Sequence, residues 1–342
     1  MNSILNKTRD ELKIFLRDHS LPGYRSDQIL QWVYKHRVTD WQQMINLPAE
    51  LQQFLSEHFS LRHAQLEKKQ VSADDTTKIL LRWPDDAKTE TVLISDDPRR
   101  TVCVSTQVGC PVECTFCASG RNGLERSLAA AEIVEQLLWI QQDLKSNERI
   151  SNVVFMGMGE PLANYENILQ AIRIINADWA FGIGTRHITL STIGLPKQIR
   201  RLAHEDLQIT LAVSLHAGDD KLRQTLIPWA KQFPLDQIFD AIDYYYQHTH
   251  REVTLEYVLL EGVNTSSADA DNLAHWAHRS RCNVNLINYN PVTETEFTPA
   301  AVETAVRFLQ HLKTRGVNAH LRSSRGADID AACGQLRRTN IS

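Results

Sequence analysis

Apolar residues recur at helical spacing along the first 65 positions of the chain and at strand spacing soon after them. The helical periodicity predicts three helices, over Thr8–Arg17, Ser26–His36 and Pro48–Phe59. Apolar and polar residues then alternate on both sides of a turn at Pro84–Asp86, which predicts a β-hairpin of Lys78–Trp83 and Thr89–Ile94. We therefore expect a small helical domain at residues 1–70 and a hairpin extension at residues 71–100.

From Thr101 onward, apolar strands alternate with amphipathic helices. The predicted strands are Thr101–Thr106, Asn152–Met156, His187–Ser191, Ile209–Ser214, Val253–Leu259 and Asn283–Ile287, with a last strand at Val317–Leu321. The predicted helices are Ala130–Leu144, Tyr165–Ile175, Leu235–Gln247, Ala268–His278 and Ala300–Lys313. Six alternating units imply a parallel sheet with right-handed crossovers. They are too few for a closed eight-stranded barrel, so residues 101–342 are expected to form an α/β fold, a partial (β/α)6 barrel of the TIM type.

Short motifs of small and polar residues follow these strands directly. They are Gln107–Cys117, Gly157–Glu160, Thr192–Gly194, Leu215–His216 and Asn290–Pro291. Parallel α/β folds place their active sites at the carboxyl ends of the strands. We therefore expect the functional site where these segments converge.

The composition indicates a soluble cytoplasmic protein and does not identify a substrate. Hydrophobic residues make up 42% of 342 positions, yet no apolar run reaches the roughly 20 residues of a membrane helix. The first residues lack the features of a secretory signal, so we expect no membrane partner. The net charge of −4 gives no support for nucleic-acid binding. Six cysteines in a reducing compartment indicate a metal site or thiol chemistry rather than structural disulfides.

Three of these cysteines have the spacing of an iron–sulfur site. Cys110, Cys114 and Cys117 are separated by three and two residues, and no nearby Cys or His pair supplies the fourth ligand of structural zinc. Three thiolates suit a four-iron cluster that leaves one iron open. The C-x3-C-x2-C loop after the first strand resembles the signature of radical S-adenosylmethionine (SAM) enzymes. That resemblance implies two cofactors, a [4Fe–4S] cluster and SAM.

The segment Gly157–Pro161, with the sequence GMGEP, admits two interpretations. Its glycines allow a close approach of the backbone to a ligand, and its glutamate can hold an ammonium group. The same residues could form an ordinary tight turn. Beside the cysteine triad, we favour cofactor binding.

Two more cysteines narrow the resemblance. Cys103 lies seven residues before Cys110, and Cys333 lies within Asp328–Leu336, with the sequence DIDAACGQL. Together with the motifs GMGEP, LSTIG, VSLH and NYNP, these segments resemble the RlmN/Cfr family of RNA methyltransferases over nearly the whole chain. Two departures from the family pattern, Trp229–Ala230 and Ser127, put the substrate side of the pocket in doubt.

The resemblance implies a role for each site residue. Cys333 would take a methyl group from SAM and carry it to the base, and Cys103 would release the product through a transient disulfide with Cys333. Glu90 occupies the position of the proposed general base, although a solvated glutamate on a hairpin strand is a strong alternative. Cys110, Cys114 and Cys117 would hold the cluster. SAM would be contacted by Gly159, Glu160, Ser191, Ser214, Leu215, His216 and Asn290.

The implied function is C2-methylation of an adenosine in 23S ribosomal RNA, near the peptidyl transferase centre, and of the adenosine 3′ of the anticodon in tRNAs. The helical domain would grip RNA by its shape and phosphates. We expect a monomer and an electron donor such as flavodoxin. Three alternatives stay open: C8-methylation of the same base, a radical SAM enzyme with a protein or small-molecule substrate, and an iron–sulfur RNA-binding protein without enzymatic activity.

Overall fold

A mixed sheet of ten strands runs through the structure, a computed structural model that describes residues 2–145, 147–293 and 295–337. The strands lie side by side in chain order. They are β1 (Gln65–Val71), β2 (Thr77–Arg82), β3 (Lys88–Asp96), β4 (Arg99–Cys103), β5 (Asn152–Phe155), β6 (Ile188–Thr192), β7 (Thr210–Ser214), β8 (Thr254–Leu259), β9 (Asn283–Asn288) and β10 (Ala319–Arg322). Strands β1 to β4 are antiparallel, whereas β4 to β10 are parallel.

Three helices precede the sheet, and the others lie between its parallel strands. Those of the described residues are α1 (Arg9–Asp18), α2 (Arg25–Gln31), α3 (Ala49–His58), α4 (Ala130–Asp143), α5 (Tyr165–Asn176), α6 (Pro196–Leu202), α7 (Asp220–Leu226), α8 (Leu235–Thr249), α9 (Ser267–Arg279) and α10 (Val302–Thr314). Residues 255–259 of β8 are all buried, as is typical of a parallel strand covered on both faces. The predicted α/β fold with a partial barrel is confirmed, and the last predicted strand joins the sheet as β10.

The N-terminal helices pack against the barrel, and their buried apolar residues are continuous with its core. Helix α1 begins with a capping box, in which Thr8 Oγ1 accepts from the Glu11 N–H and the Glu11 carboxylate accepts from the Thr8 N–H. The second predicted helix is divided, because α2 ends at Gln31 and a π-helical turn follows over Trp32–His36. The module contacts the start of α4, where Asn6 Oδ1 accepts from the Ala131 N–H at 3.0 Å.

Some strand pairings were absent from the sequence prediction, among them a short parallel pair of Asn2–Ser3 with Phe59–Ser60. Strand β1 (QLEKKQV) pairs with β2, but its side chains are nearly all exposed, so it lacks the alternation that predicts a strand. A short hairpin of Gln107–Gly109 and Leu124–Ser127 flanks the cysteine loop. Among the described residues, no helix has the length and apolar character to cross a lipid bilayer.

Candidate active site

A large cavity opens inside the barrel at the carboxyl ends of the parallel strands. The space between its walls amounts to about 950 Å³, part of which is open to solvent. The predicted site residues on its wall are Cys110, Cys114, Cys117, Gly159, Glu160, Ser191, Ser214, His216 and Cys333. Leu215 lies apart from this wall, because its side chain is fully buried in the core. Its N–H donates to the Glu256 carbonyl, and its own carbonyl accepts from Arg223 Nε at 3.2 Å.

A second cavity shares part of this wall. Cys103, Asn290 and Cys333 line it together with Met156 and Ile287, and the last two also line the first cavity. The rest of its lining is largely apolar, from Val92, Ile94, Val154, Ala331, Ala332 and Leu336, with a polar run at Arg322–Arg325. Cys333 lines both cavities and therefore lies at their boundary.

The cysteine loop, residues 110–117, is held at both ends by backbone hydrogen bonds. The Cys110 N–H donates to the Gly123 carbonyl at 3.2 Å, and the Thr115 N–H donates to the Leu226 carbonyl at 2.9 Å. A Cβ atom at Gly120 would lie 2.7 Å from the Glu113 Cα atom, so only glycine fits where the chain returns across the loop. These contacts fix the direction in which the loop presents its thiols.

The three thiols lie in one electrostatic environment. Burial raises the pKa of Cys110 to about 12 and the pKa values of Cys114 and Cys117 above their usual range, and the neighbouring cysteines add to the rise for Cys110 and Cys114. No three His, Cys, Asp or Glu side chains within the described ranges are arranged around a single metal ion. A four-iron cluster makes a different demand, since each thiolate binds its own iron. Three half-buried thiols on one cavity wall fit that demand.

The GMGEP segment passes very close to the strand ends beside it. A Cβ atom at Gly157 would lie 2.6 Å from the Val104 carbonyl oxygen, and Gly159 has a φ of +106°, which favours glycine. Glu160 Oε1 accepts from the Leu162 N–H and Oε2 accepts from the Ile193 N–H, both at 2.9 Å. Burial raises the pKa of Glu160 to about 7, although these two hydrogen bonds lower it. The segment thus joins the ends of β5 and β6.

Polar side chains continue around the inner wall on the next strands. Ser191 and Ser214, at the ends of β6 and β7, have hydroxyl oxygens 3.3 Å apart. His216 Nδ1 accepts from the Val258 N–H at 3.0 Å, and burial lowers the pKa of His216 to about 3. His216 is therefore neutral at physiological pH, and its place in the barrel is fixed by β8.

Cys103 and Cys333 occupy very different environments. Cys103 is buried at the end of β4, where burial and the neighbouring Cys333 raise its pKa to about 12 and Arg322 opposes the rise. Cys333 is exposed, and Asn290 Nδ2 donates to its carbonyl oxygen at 3.3 Å. The Ala118 N–H donates to the Gly334 carbonyl at 2.7 Å, which ties the Cys333 segment to the cysteine loop. All six cysteines are free thiols.

Glu90 lies on β3 outside the lining of both cavities, with both carboxylate oxygens engaged. Oε1 is 2.9 Å from Lys78 Nζ, and Oε2 accepts from the Arg337 N–H at 2.8 Å. Burial raises the pKa of Glu90, and the charge of Lys78 opposes this. The structure places this glutamate under the segment that carries Cys333.

Three polar residues near the site escaped the sequence analysis: Lys78, Glu256 and Arg322. Glu256 lies on the wall of the first cavity, and Arg322 lies on the wall of the second. Glu256 interrupts the apolar segment Val253–Leu260, and a lone carboxylate in a buried strand was the available signal. Ser127, a departure from the family pattern, accepts through Oγ from Gln107 Nε2 at 3.2 Å. Gln107 Oε1 in turn accepts from the Glu160 N–H, so this departure lies next to the GMGEP segment.

Comparisons with known proteins agree over nearly the whole length. A radical SAM superfamily model matches residues 104–274, and a model of the ribosomal RNA large subunit methyltransferase N-terminal domain matches residues 2–61. A probable dual-specificity RNA methyltransferase RlmN of Dictyoglomus turgidum is 45% identical over 98% of this chain and 97% of its own. The corresponding Staphylococcus epidermidis protein is 44% identical over 98% and 92%. A radical SAM methyltransferase of Sphaerobacter thermophilus superposes with a TM-score of 0.97 at 41% identity, covering 99% and 100%.

Proposed function

The chain belongs to the RlmN family within the radical SAM superfamily, and from this membership we propose that it methylates carbon C2 of an adenine base in RNA. The observation that carries the proposal is the position of Cys333 at the boundary of two cavities. The first cavity has the cysteine triad and the GMGEP segment on its wall, and the second has Cys103. A methyl group on Cys333 would lie between the cofactors and a pocket for the base.

The cofactors are a [4Fe–4S] cluster and SAM, as in other radical SAM enzymes. When bound, they supply a methyl group and a 5′-deoxyadenosyl radical. Cys110, Cys114 and Cys117 would bind three of the irons. Glu160, held by two backbone N–H groups, would orient the ammonium group of SAM. Because the three thiols are protonated at neutral pH without a metal, loading of the cluster would release their protons.

The two remaining site cysteines would carry and release the methyl-derived carbon. Cys333 is exposed and has room to accept the methyl group and to be joined to the base through one methylene. In the release step, the Cys103 sulfur would attack the Cys333 sulfur. A disulfide forms, the carbon–sulfur bond breaks, and its electron pair goes to the carbon, which takes up a proton. The high pKa of Cys103 means that its thiol must lose a proton before this attack.

The second cavity would receive the target base. Its apolar lining suits the faces of an adenine that has been extruded from its stack. Arg325 is exposed at this cavity and could approach a phosphate of the RNA. Glu90 would act as the general base only after moving, since both of its oxygens are occupied here.

The proposed substrates are 23S ribosomal RNA and tRNA. The matching N-terminal model is described as belonging to a large-subunit ribosomal RNA methyltransferase, which supports the first substrate and an RNA-binding role for residues 1–70. The relatives are described as dual-specificity RNA methyltransferases, which supports a second class of RNA. A base in a loop costs the least to extrude, as in an anticodon loop.

Mass spectrometry of the product nucleosides tests this function. Cluster-loaded protein, SAM and a reductant are incubated with unmodified 23S ribosomal RNA or tRNA, and the RNA is digested. We expect 2-methyladenosine from both RNAs, and its loss when Cys117 is replaced by Ala. Formation of 8-methyladenosine would overturn the C2 assignment. Absence of any methylated adenosine would overturn RNA methylation itself.

A further inference from the structure

One glutamate on the wall of the first cavity, the proposed site of SAM, has a buried carboxylate oxygen with no hydrogen-bond partner among the described residues. Glu256 is 4% exposed and lies on the wall of this cavity. Its Oε1 accepts from Asn285 Nδ2 at 3.0 Å, but its Oε2 has no hydrogen-bond partner among the described residues. Buried polar atoms are nearly always paired, and a carboxylate loses much hydration on burial. A bound ligand with hydrogen-bond donors would supply the missing partner.

Backbone hydrogen bonds fix the position of Glu256 on β8. The Glu256 carbonyl accepts from the Leu215 N–H at 3.0 Å and from the His216 N–H at 3.4 Å. Glu256 pairs in register with Ser214 on β7. Ser214 in turn is next to Ser191 on β6. The result is a polar row of Ser191, Ser214, Glu256 and Asn285 across four adjacent strands.

The position of this row in the sheet indicates which part of SAM would contact it. The cysteine loop follows β4, whereas Glu256 lies four strands further along the sheet, on β8. The amino-acid end of SAM belongs at the cluster and Glu160, so the nucleoside extends across the cavity. A carboxylate only accepts hydrogen bonds. The donors on the nucleoside are the two ribose hydroxyls and the adenine amino group, and a row of hydroxyl and carboxylate groups matches the ribose.

We propose that Glu256 binds the ribose of SAM, with Oε2 accepting from a ribose hydroxyl. This inference rests on the proposed use of SAM. It adds a SAM-contacting residue that lies outside the sequence motifs. Burial raises the pKa of Glu256, while Asn285 and the charge of Arg322 oppose the rise. Asn285 is a positioning residue in this arrangement, because its amide holds Oε1 and leaves Oε2 without a partner among the described residues.

The test uses S-adenosylhomocysteine, which has the same nucleoside but no methyl group to transfer, so Cys333 stays unmodified. Its affinity for cluster-loaded protein is measured by equilibrium dialysis without reductant, beside its 2′-deoxy and 3′-deoxy analogues. We expect one deoxy analogue to bind about tenfold or more weakly to the wild type, as for a lost hydrogen bond to a charged group. Equal affinities for all three compounds on wild-type protein would overturn the proposal without any variant.

Glu256→Gln then links the hydroxyl to this residue. Asn285 donates, so the glutamine oxygen would turn towards Asn285 and its amino group would replace the acceptor at Oε2. We expect this variant to bind S-adenosylhomocysteine more weakly than the wild type does. Removal of the ribose hydroxyl should then weaken binding further by less than about twofold, and this factor is the deoxy penalty. The control is Glu252→Gln, an exposed glutamate that makes the same 3.0 Å contact with Asn283 near the opposite end of β8.

Each remaining outcome gives a definite answer. An unchanged deoxy penalty in Glu256→Gln would overturn the proposal. A second result would also overturn it. If Glu256→Gln removed the loss of affinity caused by N6-dimethylation of the adenine but not the loss caused by removal of a ribose hydroxyl, the carboxylate would contact the adenine instead. Failure of wild-type protein to bind either S-adenosylhomocysteine or SAM would instead refute the proposed function.

Discussion

Two thiols on the wall of one cavity differ sharply in exposure, and the difference matches two different tasks. Cys333 is exposed and lies on a segment that reaches both cavities. Cys103 is buried at a strand end, with a pKa raised to about 12. An exposed thiol is suited to exchange groups with two ligands in turn, whereas a buried, protonated thiol stays unreactive until a sulfur partner arrives. Arg322 lies near both thiols, and its charge opposes the rise in the pKa of Cys103.

Replacement of Cys103 by Ala should trap the reaction at the release step. The variant keeps Cys333 and the triad, so it should still become joined to the base, but the releasing disulfide cannot form. We expect at most a single turnover and a protein–RNA band on denaturing gels that disappears with nuclease.

Two controls accompany this experiment. Cys333→Ala should give no band, because the methyl carrier is gone. Cys282→Ala should turn over normally, since this buried cysteine lines neither cavity. Normal release of methylated RNA by Cys103→Ala would show that Cys103 only packs beside the site.

At the scale of elements, the antiparallel strands β1 to β3 hold the segment that carries Cys333. The turn between β1 and β2 contacts the start of this segment, where the Gly326 N–H donates to Asp74 Oδ2 at 3.0 Å and the Ala73 N–H donates to Asp328 Oδ2 at 3.2 Å. Lys78 on β2 donates to the Asp330 carbonyl at 3.0 Å. Glu90 on β3 holds the end of the segment through the Arg337 N–H. The extension therefore positions Cys333 over the barrel.

Lys78→Met should destabilise this arrangement strongly. It would leave the Glu90 carboxylate buried without its cation, and breaking a buried pair costs about 3–5 kcal/mol. Lys78 and Glu90 have side-chain exposures of 6% and 8%, so solvent screens the loss little. We expect a lower free energy of unfolding in urea, partly restored by Lys78→Met/Glu90→Gln, in which a neutral amide replaces the carboxylate.

Lys88→Met is the matched control on the same extension. Lys88 pairs with Glu67 in a half-exposed ion pair, which should contribute less than about 1 kcal/mol. If Lys78→Met destabilised the protein no more than Lys88→Met, the buried pair would not hold the segment.

At the scale of the whole molecule, local patterns predicted the barrel, and contacts between distant residues remained hidden. The motifs after the strands converge because parallel strands bring their carboxyl ends to one edge of the sheet. No local pattern shows that Glu90 and Arg337 meet, since 247 positions separate them. Glu256 was not predicted for a related reason. Its Oε2 is left without a partner because Asn285, a neighbour on another strand, donates to Oε1, and the sequence does not show this strand register. Strand β1 was missed because its pairing depends on backbone hydrogen bonds rather than apolar side chains.

A buried carboxylate contributes to the junction between the N-terminal helices and the barrel. Glu135 on α4 is fully buried, and its carboxylate accepts from the His63 N–H at 2.9 Å and from the Ala64 N–H at 2.8 Å. Burial raises the pKa of Glu135, while these hydrogen bonds and the charge of Arg62 oppose the rise. The terminal nitrogens of Arg62 are buried and have no hydrogen-bond partner in the described parts of the chain. Glu135 thus accepts hydrogen bonds from two buried backbone N–H groups and offsets the charge of Arg62.

Glu135→Ala should uncouple the two parts of the molecule. Two backbone donors and the Arg62 guanidinium would be left buried without compensation, at a cost of about 3 kcal/mol or more. We expect rapid cleavage by trypsin at Arg62 and a marked loss of RNA methylation. Methylation of Cys333 by SAM should persist, because that step needs only the barrel. The control is Asp143→Ala, which removes a half-exposed ion pair with Lys69 from the end of the same helix and should change neither property. RNA methylation by Glu135→Ala at the level of this control would show that delivery of RNA does not depend on a docked N-terminal module.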